Sequence, residues 1–378
     1  MSIFTIQKQA EQTKARAGRL RLAHGEVNTP VFMPIGTQGS VKSLTEAEIT
    51  QAGAQIILGN TYHLWLRPDL DVLKRAGGLH RFAHWSKPIL TDSGGFQAFS
   101  LAKIRKFSEE GVAFRSHLNG QKRFLSPEES MRIQTIIGSD IALVLDECLE
   151  AEVSKSKAKQ ALLRTRRWAE RSQTEFLRLQ KILNHDNYLF GIPQGAQFND
   201  LRVESAKRTM ELNFPGYSIG GVANGGEPEE VMYEQVLTQT EILEDPKPRH
   251  LLGVGKPKDI VQMIARGIDM FDCVLPTRNA RHGTLFLALD ESTYREVKIR
   301  NKEFENDFSP INPHSKFPEL RQYSKAYLRH LFRAKELLAF RLATMQNIEF
   351  YLDLTAACRE RILAGTFDSW WKDYSFQK

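Results

Sequence analysis

Short apolar runs recur eight times within the first 273 residues, and each ends in glycine or a polar residue. The segments between them are mostly typical of amphipathic helices. This alternation predicts an α/β fold, namely a (β/α)8 TIM barrel. A doubly wound sheet is the competing fold, but eight parallel strands over about 245 residues favour a closed barrel. The runs lie at 31–36, 55–60, 88–95, 140–147, 188–195, 217–226, 250–255 and 268–273.

Two stretches do not fit the repeat. The segment at about 98–126 is too long for an ordinary loop, and its alternating residues predict a hairpin insertion over the barrel mouth. Residues 284–378 start with a second hairpin-like stretch and continue into two or three helices. We therefore predict a barrel domain over residues 1–283 and a hairpin and helical subdomain over residues 284–378.

The composition excludes several classes of protein. Charged residues make up 26% of the chain and hydrophobic residues 41%, as in globular proteins, and the net charge of +7 permits a polyanionic partner. Cys148, Cys273 and Cys358 lie too far apart for a disulfide framework or a CxxC metal site. No run reaches the length of a membrane span, and the N-terminus does not resemble a signal peptide, so we expect a cytoplasmic protein without membrane contact.

Three aspartates, Asp92, Asp146 and Asp272, lie at the ends of three of the runs. The C-terminal ends of barrel strands form the active site in enzymes of this fold. Carboxylates placed close together raise one another's pKa, a cost that function usually explains, and two of them suffice to break a glycosidic bond. A single aspartate at such a position is more often a helix cap, so a purely structural capping role for these aspartates stays open as the alternative.

Other strand-end residues suit a flat ligand. Gly94-Gly95 and Gly220-Gly221 would let a planar group approach the backbone, although tight turns explain glycine pairs equally well. Gln194 and Asp146 could hydrogen-bond the edge of a purine-like base. Cys148 follows Asp146 by two residues and is more typical of a small buried side chain than of a reactive thiol.

Basic residues follow Asp272. Arg278 and Arg281, three apart on a predicted loop, suit phosphate clamps. Farther on, basic residues recur every four positions, which predicts one face of one helix and a track for a nucleic-acid backbone, although such a face is most often only solvated. These residues are Arg321, Lys325, Arg329 and Arg333, with Tyr327, Leu328, Leu331 and Phe332 expected on the opposite side.

Several long motifs occur in one order along the chain: GNTYHLWLRP at 59–68, TDSGGFQ at 91–97, LDEC at 145–148, GIPQG at 191–195, GVGKP at 253–257, GIDMFDCVLPTRNARHG at 267–283 and YSKAYLRHLF at 323–332. In these motifs the chain resembles the bacterial tRNA-guanine transglycosylases, or queuine tRNA-ribosyltransferases. The resemblance runs from about residue 3 to the C-terminal helix.

The resemblance implies an enzyme that exchanges the first anticodon guanine of certain tRNAs for a 7-substituted 7-deazaguanine, with retention of configuration. It implies that Asp272 is the nucleophile and Asp92 the general acid/base. It also implies a homodimer formed through the post-barrel region. The further residues that it implies are Ser93, Phe96, Asp146, Cys148, Gln194, Gly220, Gly221, Val222 and Ala223 for the base, and Thr277, Arg278 and Arg281 for the anticodon region.

The chain departs from the family in two places. The four positions of the family's structural zinc ligands read Ser315, Phe317, Leu320 and Gln346, so we expect no zinc and no other cofactor. The run GGVANGGEP at 220–228 holds one residue more than the bacterial pattern and shares its final GGE with the eukaryotic one. Either the aminomethyl precursor or queuine could fit, and the bacterial LDEC motif favours the precursor.

Three rival functions remain at this stage. A non-catalytic subunit of a heteromeric transglycosylase would have lost the nucleophile, whereas Asp272 and Asp92 are both present. A barrel glycoside hydrolase would share the two carboxylates but would not need the arginines. An archaeal-type transglycosylase usually carries an additional RNA-binding domain, for which this chain is too short.

Overall fold

A computed structural model describes residues 2–100, 105–149, 152–183, 186–222 and 228–377. The fold is mixed α/β. Its strands are β1 (Phe4–Gln9), β2 (Arg16–Leu22), β3 (Gly25–Thr29), β4 (Val31–Met33), β5 (Ile35–Gly36), β6 (Ile57–Gly59), β7 (Ile89–Thr91), β8 (Arg105–Phe107), β9 (Val112–Arg115), β10 (Lys122–Leu125), β11 (Ile141–Leu143), β12 (Tyr188–Phe190), β13 (Tyr217–Ile219), β14 (Arg249–Leu251), β15 (Met270–Asp272), β16 (Thr284–Ala288), β17 (Thr293–Lys298) and β18 (Ser375–Phe376).

Helices separate most of the parallel strands and make up most of the C-terminal part. They are α1 (Glu46–Ala52), α2 (Thr61–Leu66), α3 (Leu70–Ala76), α4 (Leu79–Ala83), α5 (Gly95–Ser100), α6 (Pro127–Ile137), α7 (Lys155–Leu183), α8 (Asn199–Met210), α9 (Glu229–Thr240), α10 (Pro257–Ala265), α11 (Leu275–Arg281), α12 (Pro318–Gln322), α13 (Lys325–Ala334), α14 (Leu337–Ala364) and α15 (Phe367–Trp370), with a short 3-10 turn at Lys302–Phe304.

Each of the eight apolar runs contains a strand, and these strands pair in parallel. One sheet has the order β12-β11-β7-β6-β5 and the other β13-β14-β15-β4. The sheets meet twice: β4 and β5 belong to one run, and Gly191, directly after β12, forms a parallel bridge to Tyr217 of β13. The strands are buried almost throughout, which explains why they appear in the sequence as continuous apolar runs.

Two antiparallel sheets and one mixed sheet accompany the parallel strands. The insertion predicted as a hairpin contains three strands, in the order β10-β9-β8, because Arg105–Phe107 adds to the hairpin. The predicted second hairpin is β16 with β17, to which β18 adds from the C-terminus. The sheet β1-β2-β3 was not anticipated, because β1 is rich in polar, exposed residues and lacks an apolar run.

The C-terminal helices share one hydrophobic core with the parallel sheets. Tyr351 of α14 donates its hydroxyl to the carbonyl of Gly255 at 2.6 Å, and Asn347 donates to the carbonyls of Pro276 and Thr284. These bonds attach α14 to the segments that follow β14 and β15. Among the described residues, no helix is long and apolar enough to cross a membrane.

The single basic helix face predicted over residues 321–333 is wrong. Ser324 starts a new helix by accepting a hydrogen bond from the amide of Tyr327, so Arg321 belongs to α12 and the other basic residues to α13. Arg329 is buried and donates to the carbonyl of Asn301. Tyr327, expected on the side opposite the basic residues, is exposed. A four-residue spacing cannot reveal this break, because a capping serine restarts the helix in a new direction.

Candidate active site

The C-terminal ends of the parallel strands open onto a cavity of about 790 Å³. Residues from both sheets line it, so strand ends that are far apart in sequence meet here. The cavity collects most of the residues that the sequence singled out: Asp92, Ser93, Phe96, Asp146, Cys148, Gln194, Gly220, Gly221, Asp272 and Arg278.

Asp92 follows β7 and is buried among hydrogen-bond donors. The backbone amide of Thr61 donates to Oδ1 at 2.8 Å, and the side-chain amide of Asn60 donates to Oδ2. Burial raises the pKa of Asp92 to about 6, with a further contribution from the negative charge of Asp272, while the hydrogen bonds oppose this shift. A carboxyl group with such a pKa can donate and accept a proton near neutral pH.

Asp272 is the last residue of β15 and is also buried. His250 Nε2 lies 2.8 Å from Asp272 Oδ1, and the amide of Gly253 donates to the same oxygen at 3.3 Å. Within the described chain, the hydrogen bonds of this carboxylate therefore involve Oδ1. The side chain of His250 in turn reaches Ser218 Oγ, 3.0 Å from Nδ1.

A third carboxylate, Asp146, forms a compact polar group with its neighbours. It accepts from Ser93 Oγ at 3.0 Å, from Gln194 Nε2 at 2.6 Å and from Cys148 Sγ at 3.4 Å. Burial raises the pKa of Asp146. Burial, reinforced by the charge of Asp146, also raises the pKa of the Cys148 thiol well above its ordinary value, so the thiol stays protonated.

The glycine pair after β13 is required by the close approach of Gln194. A Cβ on Gly220 would lie 2.7 Å from Gln194 Nε2, and one on Gly221 would lie 2.4 Å from Gln194 Oε1. Gly221 also has a φ of +68°, which favours glycine. The buried Arg202 donates to the carbonyls of both glycines, at 3.2 and 2.6 Å. Val222 is buried beside them, and Ala223 lies outside the described residues.

The predicted tRNA contacts lie on a helix rather than a loop. Thr277, Arg278 and Arg281 all belong to α11, which begins shortly after β15 and has a proline in its first turn. Arg278 is exposed at the cavity, whereas Thr277 is buried and its hydroxyl donates to the carbonyl of Val274. Arg281 donates to the carbonyl of Thr277 at 3.0 Å. Phe96 is 50% exposed at the rim of the cavity.

The four positions that hold zinc in the family are all buried, and their chemistry does not suit zinc. Phe317 and Leu320 pack in the hydrophobic core. Ser315 donates to the carboxylate of Glu349, and Gln346 donates to the carbonyl of Phe286 at 2.8 Å. Zinc prefers thiolate, imidazole or carboxylate ligands, and none of these four side chains offers one.

Sequence reasoning missed His250, Ser218 and Arg202. His250 begins one of the predicted runs, yet it was not assigned a role, because a histidine inside a strand is usually a core residue. The period of two along one strand could not reveal it, because Ser218, His250 and Asp272 lie on three strands and share one face only through the register between them. Arg202 gave no signal, because the carbonyls of Gly220 and Gly221 and the side chain of Gln239, to which it donates, lie far from it in the sequence.

The fold and the site together define a class of enzyme. Parallel strands bring two buried carboxylates to one cavity, beside a polar group suited to a base and an exposed arginine. Asp92 and Asp272 differ in their surroundings, as expected when one carboxyl group exchanges protons and the other attacks carbon. These features define an enzyme that transfers a glycosyl group.

The comparisons with known proteins agree. A family model for queuine tRNA-ribosyltransferase matches residues 11–377. The queuine tRNA-ribosyltransferase of Aromatoleum aromaticum is 51% identical over 360 residues, 95% of each chain. That of Neisseria meningitidis is 49% identical over 367 residues, covering 97% of this chain and 96% of the relative. That of Acinetobacter baylyi is 48% identical over 373 residues, covering 99% and 94%.

The chain belongs to the queuine tRNA-ribosyltransferase family. The resemblance drawn from the motifs is thereby confirmed, and the protein is a pentosyltransferase. A glycoside hydrolase is no longer a competing interpretation.

Proposed function

We propose that this chain exchanges the wobble guanine of G-U-N tRNAs for a 7-substituted 7-deazaguanine, as a step of queuosine modification in the cytoplasm. The observation that carries the proposal is the presence of Asp272 and Asp92 on one cavity with the Asp146 and Gln194 pair. The extent of the family match supports it.

The proposed reaction has two displacements. An oxygen of Asp272 attacks C1′ of the ribose, the bond from C1′ to N9 of guanine breaks, and the protonated Asp92 supplies the proton that the leaving base takes up. The incoming base then loses a proton to Asp92 and attacks C1′, and the electron pair of the ester bond returns to Asp272. Two inversions retain the configuration. The pKa of Asp92, about 6, suits both proton transfers.

The same cavity offers groups for the base and for the tRNA. Asp146 and Gln194 hydrogen-bond each other and would turn to the base edge when it enters, while Phe96 offers a ring for stacking. The exposed Arg278 suits a phosphate of the anticodon loop, and Arg281 lies one turn away. We favour the aminomethyl precursor over queuine; most of the loop that bears on this choice, 223–227, lies outside the described residues.

The architecture of the chain supports three further proposals. The two parallel sheets form one closed (β/α)8 barrel within residues 1–283, supported by the shared run of β4 and β5 and by the bridge from Gly191 to Tyr217. Residues 284–378 brace it without zinc and provide contacts to the tRNA backbone. They also mediate a homodimer, for which the exposed Tyr327 beside Tyr323 offers an aromatic surface. Sedimentation as a monomer at micromolar concentration would refute the dimer.

Guanine exchange tests the proposed function directly. The protein is incubated with labelled guanine and an unmodified tRNA that has a G-U-N anticodon, and the label in the tRNA is counted. We expect incorporation by the parent protein and none by Asp272→Asn. No incorporation by the parent, with tRNA still bound, would favour the alternative of a non-catalytic tRNA-binding subunit. If the parent protein incorporates guanine, competition between the aminomethyl precursor and queuine identifies the preferred base.

A further inference from the structure

The carboxylate of Asp272 is in contact with a buried histidine that the reaction above does not use. His250 and Ser218 have no exposed surface. The two ring nitrogens of His250 each meet a polar side chain: Nε2 lies 2.8 Å from Asp272 Oδ1, and Nδ1 lies 3.0 Å from Ser218 Oγ. Each ring nitrogen of His250 thus has a polar partner in the protein interior. One of these partners is Asp272, the proposed nucleophile.

The register of three neighbouring strands creates this alignment. Ser218 of β13 pairs with His250 of β14, and His250 pairs with Met270 of β15. Side chains at paired positions share a face, and Asp272 shares it too because it lies two residues beyond Met270. His250 therefore lies in the layer beneath Asp272, on the side away from the strand ends.

Hydrogen-bond chemistry determines where the imidazole proton lies. An ionised carboxylate only accepts hydrogen bonds, so Nε2 must carry a proton and donate to Asp272 Oδ1. In the neutral ring Nδ1 then accepts, and the hydroxyl of Ser218 donates to it. The carboxylate of Asp272 thus selects the tautomer of His250, and Ser218, whose hydroxyl can donate or accept, fixes the orientation of the ring, in the way that an outer partner orients a histidine at a metal or catalytic site.

We propose that His250 is a positioning residue for Asp272, with Ser218 fixing the orientation of its ring; the proposal rests on the proposed function. His250 Nε2 and the amide of Gly253 both donate to Oδ1, so Oδ2 is the oxygen that attacks C1′. In the ribosyl ester, Oδ1 is the carbonyl oxygen and still faces Nε2–H. When the incoming base breaks the bond from C1′ to Oδ2, the electron pair returns to the carboxylate, and Nε2–H stabilises the charge. The imidazole keeps its proton throughout.

Three variants test the proposal through guanine exchange. His250→Leu removes the donor, and we expect kcat to fall about 10–100-fold with little change in KM for tRNA, because the tRNA contacts lie elsewhere. His250→Gln supplies an amide N–H near the position of Nε2, and we expect it to recover most of the lost kcat. Ser218→Ala keeps the ring but removes the partner of Nδ1, and we expect a smaller loss. Thermal unfolding of each variant confirms that folded protein is compared.

A spectroscopic measurement separates this proposal from the proposed function. With 15N-labelled histidine, we expect the spectrum of the parent protein to show His250 protonated at Nε2 and unprotonated at Nδ1, and Asp272→Asn to shift the Nε2 signal. Protonation at Nδ1, or a folded His250→Leu variant that keeps its kcat within about twofold, would overturn the proposal. Absence of guanine exchange by the parent would instead refute the proposed function, while the spectrum would still test the contact.

Discussion

The two carboxylates of the proposed reaction differ in their immediate neighbours. Asp92 is surrounded by amide donors from Asn60, Thr61 and the Gly94 backbone, yet burial outweighs them and raises its pKa to about 6. Asp272 instead forms a hydrogen bond through Oδ1 to the imidazole of His250. No such contact holds Oδ2 within the described residues, and Asp272 lines the cavity. In the proposed reaction, burial suits Asp92 to proton transfer, and a directed hydrogen bond suits Asp272 to attack.

The raised pKa of Asp92 predicts a pH dependence for the release of guanine. Only the protonated carboxyl can donate, so we expect single-turnover release of labelled guanine to slow as pH rises through about 6. Asp92→Asn has no proton to donate, and we expect release about 10²–10⁴-fold slower and without this inflection. Rates measured between pH 5 and 8 check both expectations. The same inflection in the variant would assign the titration to another group.

The glycine pair after β13 predicts a steric effect on base binding. Gly221→Ala places a Cβ 2.4 Å from Gln194 Oε1 at a φ of +68°, so we expect at least a tenfold rise in KM for guanine. Gly120→Ala is the matched control, because Gly120 has a φ of +71° and nothing within 4 Å of its Cβ. We expect the control to lose about 1 kcal/mol of stability and to keep its full activity. Equal loss of activity in both variants would contradict the steric account.

The sequence identified the residues that line the cavity better than those that hold them in place. Asp92, Asp146, Gln194 and Asp272 could be found because they end apolar runs, a position that is visible along one chain. His250 could not be assigned, since its role depends on the register between strands. That register is a long-range property that a single strand does not encode.

At the scale of elements, Asp140 connects several segments at the opposite end of the parallel strands. This buried residue precedes β11 and accepts from the amide of Ile89 in β7 and from the amide and ring of His24, which follows β2. His80 of α4 approaches its other oxygen at 3.3 Å. Burial alone would raise the pKa of Asp140, but the hydrogen bonds from His80, Ile89 and His24 outweigh it and lower the pKa.

The lowered pKa of Asp140 predicts how stability depends on pH. A group whose pKa is depressed in the folded state stabilises it above the unfolded pKa of about 4, and this contribution is lost as pH falls through the folded value. We expect Asp140→Asn to cost about 2 kcal/mol in urea unfolding at pH 7 and less below pH 4. The exposed Asp186→Asn serves as the control, with no comparable loss. A cost that is constant from pH 7 to pH 3.5 would contradict the assignment.

Strands could be located from the sequence more reliably than helix boundaries near the C-terminus. The parallel strands are buried on both faces, so each one appears as an apolar run. The break between α12 and α13 depends on the hydroxyl of Ser324, and β1 is mostly exposed. Neither feature produces a hydrophobic pattern, and each is therefore difficult to predict without the structure.

At the scale of the whole molecule, α14 joins the C-terminal part to the parallel sheets. Its Glu349 accepts from the hydroxyl of Ser315 and from the amide of Lys316, and burial raises the pKa of this carboxyl group. These contacts connect α14 to the segment before α12, at Ser315, one of the four positions where the resemblance implied a zinc ligand. We therefore propose that a hydrogen-bonded carboxylate and the buried Phe317 and Leu320 stand in place of metal coordination.

This replacement predicts a protein whose stability does not depend on metal. We expect elemental analysis of purified protein to find well below one zinc per chain, and EDTA to leave Tm and guanine exchange unchanged. Glu349→Ala leaves the donors from Ser315 and Lys316 unpaired, and we expect a loss of about 2 kcal/mol in the free energy of unfolding. Stoichiometric zinc, or a fall in Tm with EDTA, would contradict the metal-free account.

The central claim is that Asp272 forms a covalent bond to the ribose of tRNA. The most direct measurement is to incubate the protein with a G-U-N tRNA without a second base, quench with denaturant, and map the ribose adduct by mass spectrometry after protease and nuclease digestion. We expect a ribosylated peptide modified at Asp272 and no adduct in Asp272→Asn. An adduct at Asp92 or Asp146, or rapid exchange without any adduct, would contradict it.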